Sequence, residues 1–109
     1  MYISITGIKY KGFFQALRFW INTIPSFIDA KKANGNIFCD QKKIEDYHHT
    51  LTAWKDKTYM LNYIKGKAHS KAMKNFKLIG TGSTFGYESD QIPNWDEALN
   101  KWKENFKQI

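Results

Sequence analysis

The stretch that decides the fold is "EDYHHTLTAW", residues 45–54. From Tyr47 onward its side chains alternate strictly, so that Tyr47 and Leu51 share one side while His48 and Trp54 share the other. A period of two over eight residues predicts a β-strand. Because neighbouring side chains on a strand face opposite ways, His48 and His49 do not form a chelating pair; we expect one to pack and the other to face solvent or a pocket.

A helix is predicted directly after this strand. Asp56 is a favourable N-cap residue, and Met60 and Ile64 follow at helical spacing. Gly66 interrupts the pattern before an apolar stripe resumes over residues 68–76. The sequence therefore predicts a helix with a hinge at Gly66.

The chain before residue 45 predicts two further strands and a helix. The first ten residues, "MYISITGIKY", alternate in the manner of a half-buried strand, and apolar residues recur at helical spacing over residues 13–28. Asn34 and Gly35 form a turn signal ahead of a short apolar run at 37–39, which predicts a second strand.

The chain after residue 79 predicts a fourth strand and a terminal helix. "GTGSTFGYES", residues 80–89, contains alternating aromatic residues among glycines and indicates the strand. Pro93 and Asn94 then precede apolar positions from Trp95 to Trp102 at helical spacing, with Glu97 in the capping-box position.

This order of elements predicts a single domain, residues 1–109, of the α+β class: a ferredoxin-like split βαβ fold with an extra C-terminal helix. The four-stranded antiparallel sheet has its two main helices on one face. We expect the opposite face to carry a row of hydroxyl and aromatic side chains, namely Ser4, Thr6, Thr50, Thr52 and Trp54. A second copy of the sheet would cover this face in a dimeric barrel, or nucleic-acid bases would stack on it.

Composition argues against specific nucleic-acid recognition. The formal net charge is +7, but the lysines are dispersed and Arg18 is the one arginine. Dispersed lysines give weak, salt-dependent attraction to phosphate without base readout. An RNA-recognition motif also needs a glycine-containing aromatic core on its third strand, and residues 46–54 contain no glycine.

The cysteine content and the hydropathy of the sequence predict where in the cell the protein is located. Cys39 is the only cysteine, so no intrachain disulfide is possible, and we expect a reducing, cytoplasmic location. The apolar stretch from 13 to 28 is too polar to span a membrane or to serve as a signal peptide.

Two segments resemble a known family: "TLTAWKDKTYMLNYIKGKAHSKAM", residues 50–73, and "PNWDEALNKW", residues 93–102. Together they resemble the dimeric α+β barrel proteins grouped with the antibiotic-biosynthesis monooxygenases, and among these the spheroidene-monooxygenase-like proteins most. The similarity covers about residues 47–106. The positions that match the family pattern are Trp54, Asp56, Tyr63, Ala68, His69, Ala72 and Met73.

The resemblance implies a homodimer in which each subunit holds an apolar, polycyclic or polyene substrate between the sheet and the helices. It implies monooxygenase activity, with haem used by some members, and leaves open a non-catalytic ligand-binding or assembly protein of the same fold. The expected apolar pocket is bordered by Trp54, Tyr63, His69, Met73 and Phe85. Arg18 is a candidate for binding an anionic group of the ligand, its alternative being a surface side chain.

Differences between this sequence and the family pattern limit the reactions that we expect. Haem-degrading relatives use an Asn, a Trp and a His at positions where this chain has Thr6, Tyr63 and Met73, so haem degradation is not expected. Cofactor-free, quinone-forming relatives hold a phenolic substrate with Asn and Trp side chains. Trp54 and Tyr63 would fill part of that role here.

His69 is the candidate catalytic residue and the candidate haem ligand. A neutral imidazole on the helix that borders the pocket could ligate iron or act as a general base. The alternative is a helix-surface histidine that bonds a carbonyl group or water. Met73 lies four residues further along the same helical pattern.

The haem hypothesis predicts a spectroscopic difference at His69. Wild-type protein mixed with haem should show a Soret band that the His69→Ala variant loses or shifts, because the variant lacks the axial nitrogen. Visible absorption measures the band, and far-ultraviolet circular dichroism checks that the variant is folded. Identical haem spectra for the two proteins would rule out His69 as the ligand.

Overall fold

A computed structural model describes residues 1–10, 28–45, 47–66 and 80–108. The strands are β1 (Tyr2–Tyr10), β2 (Asn36–Ile44), β3 (Tyr47–Trp54), β4 (Gly80–Glu88) and β5 (Lys107–Gln108). The helices are α1 (Lys57–Ile64) and α2 (Trp95–Asn105), and residues 28–32 are also helical. Most of the predicted first helix and the predicted stripe at 68–76 lie outside the described residues. Neither α1 nor α2 is long and apolar enough to cross a membrane.

The described strands form one sheet in the order β2-β3-β1-β4-β5, and every neighbouring pair is antiparallel. The order of the first four strands is that of the ferredoxin-like fold, which confirms the predicted α+β class. Two details differ from the prediction. β2 is nine residues long rather than three, and the two-residue β5 adds a fifth strand beside β4.

One sheet face, called the Ile5 face, carries the aliphatic core. The register places Ile5 opposite Leu51 on one side and opposite Phe85 on the other, so these side chains point the same way. The buried side chains of this cluster are Ile3, Ile5, Leu51, Ala53, Ala98 and Trp102.

Helix α2 covers the Ile5 face. Its N-terminus has the predicted capping box: the Asn94 side chain accepts from the Glu97 amide at 2.8 Å and donates to the Glu97 carboxylate at 3.3 Å. Trp102 is 5% exposed and donates through Nε1 to the Ser83 carbonyl at 3.3 Å. Trp95 donates to Asp40 Oδ2 at 2.9 Å, which ties the helix to β2.

The opposite face, called the Trp54 face, lies under α1. Asp56 caps this helix by accepting from the Thr58 and Tyr59 amides, as predicted, and Tyr63 stacks on Trp54 with ring centroids 5.3 Å apart. Trp54 is 1% exposed within one chain. The prediction that this face lies away from the helices, open to a second sheet, is therefore wrong.

The assignment of faces also weakens the RNA-recognition alternative. That motif exposes aromatic rings on the sheet face turned away from its helices. Here the face turned away from α1 carries α2, with Trp102 buried against it. The aromatic side chains at the centre of this face therefore serve as core.

Gly7 on β1 should be intolerant of any side chain, because a Cβ atom there would collide with the indole ring of Trp102 and lie 3.0 Å from the His49 ring. We expect Gly7→Ala to destabilise the protein by about 2 kcal/mol through overpacking. Urea unfolding measures this loss. Ser4→Ala, on the same strand but on the opposite face, is the control and should change stability little. Equal effects of the two substitutions would contradict the proposed close packing at Gly7.

Candidate functional site

The Trp54 face is polar where a helix-covered sheet face is ordinarily aliphatic. Trp54 donates through Nε1 to Thr52 Oγ1 at 2.9 Å, and this hydroxyl donates onward to the Ser4 carbonyl at 3.5 Å. Thr52 and Trp54 are both buried. A buried hydroxyl that both accepts and donates is satisfied, so the chain of bonds holds the indole in one orientation.

A second hydroxyl pair lies across the β1–β4 boundary of the same face. Thr84 Oγ1 donates to the Ile5 carbonyl at 3.3 Å and lies 3.3 Å from Thr6 Oγ1. Because the Thr84 proton is directed to the carbonyl, the bond between the hydroxyls is donated by Thr6. Both side chains are half-buried, so the two hydroxyl groups form a second hydrogen-bonded polar pair on the Trp54 face.

His48 is the most deeply buried titratable group of this face, at 3% exposed. Its Nε2 lies 3.1 Å from Gln41 Oε1 on the neighbouring strand. Burial, with smaller contributions from the nearby His49 and Lys43, lowers the pKa of His48 to about 4. The imidazole is therefore neutral at physiological pH.

His49 faces the other way, as the alternation predicts. Its Nδ1 lies 3.3 Å from the Thr6 carbonyl, and its ring packs edge-on against Trp102 at 4.7 Å. Burial lowers the pKa of His49, while the bond to Thr6 opposes that shift. Of the two adjacent histidines, His49 belongs to the core and His48 to the candidate site.

Aromatic rings form one end of the Trp54 face. Tyr2 lies opposite Trp54 in the β1–β3 register, and its hydroxyl lies where a side chain on Gly86 would otherwise be. Burial raises the pKa of Tyr2, and the carboxylate of Glu88 raises it further. With Tyr63 stacked on the buried Trp54, this end is built from flat, largely apolar rings.

Cys39 lies opposite Thr52 in the β2–β3 register and so belongs to the same face. Burial raises the pKa of its thiol to about 11. The thiol is therefore protonated at neutral pH and is a poor nucleophile.

The structure brings together only part of the predicted site. Trp54 and Tyr63 are in contact, but Phe85 lies on the Ile5 face, packed against the core and stacked on Tyr87 at 5.7 Å. Phe85 therefore does not border a pocket with Trp54 and Tyr63, because the sheet separates them. His69, Met73 and Arg18 lie outside the described residues. The Trp54 face also differs from the predicted apolar pocket, because it carries hydroxyl and imidazole groups.

Sequence reasoning missed His48, Gln41 and the threonine pair as site residues. Strand alternation had already placed His48 on the face of Trp54, and a correct assignment of that face to the helix side would have identified it. No sequence pattern places Gln41 near His48 or Thr84 near Thr6, because both contacts depend on strand register.

The described residues do not fit a metal centre. Across residues 1–10, 28–45, 47–66 and 80–108, no group of three or more His, Cys, Asp or Glu side chains could hold an ion. His48 and His49 each use a ring nitrogen within the sheet, toward Gln41 and Thr6.

The structure is similar to solved structures of the antibiotic-biosynthesis-monooxygenase type. A proposed antibiotic-biosynthesis monooxygenase from Nitrosomonas europaea superposes with a TM-score of 0.75 at 12% identity, covering 84% of this chain and 100% of that one. One from Deinococcus radiodurans gives 0.74 at 12% identity, with 86% and 97% covered. SnoaB, a cofactor-independent oxygenase from Streptomyces nogalater, gives 0.68 at 10% identity, with 83% and 93% covered.

These similarities define the fold and no more. At such low identity, a shared architecture says nothing about substrate or reaction. No protein-family model matches the sequence, and no curated protein matches it. The chain therefore has the α+β fold of the antibiotic-biosynthesis-monooxygenase structures, while its function has to be argued from its own residues.

The buried, neutral His48 predicts a loss of stability in acid. The unfolded state, with an ordinary histidine pKa near 6.5, binds a proton before the folded state does. The stabilisation is complete above pH 6.5 and is lost as the pH falls toward 4, by about 3 kcal/mol. Urea unfolding at several pH values between 4 and 7.5 should show a weaker pH dependence for His48→Gln than for wild type. Parallel profiles for the two proteins would contradict this account of His48.

Proposed function

We propose that this protein binds a planar aromatic or polyene ligand between the Trp54 face and the helices that cover it, and acts on it as a small monooxygenase. One observation carries the proposal. The helix-covered sheet face bears indole, imidazole, amide and hydroxyl groups, while the aliphatic core lies on the other face. Ligand sites combine apolar rings with a few polar groups in this way.

The two ends of the Trp54 face would make different contributions to binding. Tyr63, half-buried and held in place by stacking on the buried Trp54 ring, would provide flat apolar surface against which a planar ligand can pack. The hydroxyls of Thr6 and Thr84 and the imidazole of His48 provide polar groups held by their own hydrogen bonds. Groups held in place before binding lose little freedom when the ligand arrives.

The reaction that suits this face needs no cofactor. An anthrone that gains one oxygen atom from O2 becomes a quinone, and the second oxygen atom leaves as water with the two hydrogens that the ligand gives up. The ligand itself thus supplies all four electrons that reduce O2, so no external reductant is needed. SnoaB, which shares the fold, is described as a cofactor-independent oxygenase. A cofactor-dependent version of this proposal uses haem. In that version His69 would bind the haem iron with Met73 nearby, and Arg18 would bind an anionic group such as a carboxylate.

A second candidate is a non-catalytic ligand-binding or assembly protein. It is favoured by the charge state of the described face, because His48 is neutral and the Cys39 thiol is protonated at physiological pH. The imidazole is then only a weak base and the thiol a poor nucleophile. Homodimer formation and the spheroidene-monooxygenase-like relationship belong to both candidates and are proposed on sequence resemblance.

The test uses 1,8-dihydroxyanthrone as substrate and its quinone product as a binding probe. We expect saturable binding by calorimetry and protein-dependent O2 consumption with an oxygen electrode. Trp54→Ala should weaken binding at least about tenfold, because it removes a stacking surface and the partner of Tyr63. Thr52→Val, which removes only the bond to the indole, should weaken it less.

Phe85→Leu is the matched control, since it changes an aromatic residue of the opposite face and should leave affinity unchanged. Binding without O2 consumption would favour the non-catalytic candidate. If neither the quinone nor a carotenoid bound saturably, the proposed function would be wrong.

A further inference from the structure

We propose that the Ile5 face carries, beside the C-terminal end of α2, a surface that binds single-stranded nucleic acid without sequence preference. This surface, called the Phe106 surface, consists of Tyr47, Phe106, Lys42 and Lys103. The inference is independent of the proposed function, which concerns the opposite sheet face. It also differs from the specific recognition that the composition argues against, because binding without sequence preference needs only charge and flat rings.

Phe106 provides the exposed ring of this surface. Among the aromatic side chains whose burial is described, it is the only exposed one, at 43%. Its ring stacks on the buried Trp102 indole with centroids 5.3 Å apart. The indole therefore holds the ring in place while much of that ring faces solvent, so little freedom is lost when a flat partner stacks on it.

A second ring contacts the same indole. Tyr47 packs edge-on against Trp102 with centroids 5.3 Å apart, and it is half-buried at the start of β3. Tyr47 and Phe106 are therefore neighbours, joined through Trp102. Proteins that bind single strands use such neighbouring rings to stack successive bases.

Two exposed lysines belong to the same surface. Lys42 lies opposite His49 in the β2–β3 register, so it shares the Ile5 face. Burial lowers the pKa of His49, and the positive charge of Lys103 adds to that shift, so Lys103 lies near this imidazole. His49 in turn packs on Trp102 at 4.7 Å. The two ammonium groups therefore lie on the side of the sheet that carries the rings.

The charge balance favours an anionic partner. The C-terminus of α2 carries about half a negative charge, and Glu104 beside Lys103 carries a full one and is exposed. Two ammonium groups on a chain with a net charge of +7 outweigh them. Single-stranded nucleic acid combines negative charge with a row of flat faces, whereas a duplex hides the faces of its bases and a lipid headgroup has none.

The experiment measures binding of a fluorescein-labelled oligothymidylate of about 12 nucleotides by fluorescence anisotropy. We expect a Kd of about 10 μM at about 50 mM salt. The double variant Lys42→Gln, Lys103→Gln should lower the slope of log K against log salt by about 1.4, because two phosphate contacts are lost. Lys55→Gln with Lys65→Gln removes the same charge from exposed lysines that flank α1; this control should keep the slope.

An abasic oligomer of the same length separates stacking from charge. Wild type should bind it about tenfold more weakly than the oligothymidylate, because it offers no base to the rings. Phe106→Leu keeps an apolar contact with Trp102 but removes the ring. It should lose about tenfold in affinity for the oligothymidylate and nothing for the abasic oligomer. Ile92→Ala changes an exposed apolar residue elsewhere and should behave as wild type.

The inference is overturned if wild type does not bind at low salt, or if the two lysine pairs have equal effects. Equal binding of the abasic and thymidylate oligomers would also overturn it and would indicate a partner selected by charge alone, such as an acidic peptide or a membrane surface. Thermal unfolding checks that each variant folds; should Phe106→Leu not fold, Tyr47→Leu replaces it under the same criterion. Trp54→Ala should leave oligonucleotide binding unchanged, so this inference and the proposed function fail separately.

Discussion

The packing of Trp102 over Gly7 is the contact on which the rest of the structure depends. It seats α2 on the Ile5 face, where the indole closes the aliphatic cluster and donates to the Ser83 carbonyl. Large aromatic side chains bury the most apolar area per residue, so a short helix is enough to complete this core. Because the main aliphatic core lies on the Ile5 face, the Trp54 face does not have to supply it.

That division explains how a small domain can tolerate polar groups on the sheet face that α1 contacts at Trp54. Burying hydroxyl, amide and imidazole groups costs free energy unless each is hydrogen-bonded. On the Trp54 face the required partners come from neighbouring strands or from the same strand: Gln41 for His48, and Thr52 for the Trp54 indole. A face built in this way contributes less to stability than an aliphatic one, and such local departures from the folding pattern are typical of functional sites.

The structural neighbours and the local chemistry answer different questions. The neighbours establish an architecture that the antibiotic-biosynthesis-monooxygenase structures share, and the same architecture can carry unrelated activities. The polar groups of the Trp54 face are the basis on which ligand binding is proposed. The proposed function therefore rests on the Trp54 face, and the shared fold supports only the architecture.

Periodicity and capping residues, which act locally, were enough to predict the strands β1 to β4, the helices α1 and α2 with their caps, and the ferredoxin-like order. Periodicity also separated His48 from His49. Only the tertiary structure decided which sheet face lies under α1 and which under α2, since alternation assigns side chains to faces without saying what covers either one. For the same reason Trp54 was expected at an open surface, and Phe85 was expected beside it although the sheet lies between them. The pairing of His48 with Gln41 likewise depends on strand register, which arises from contacts between segments distant along the chain.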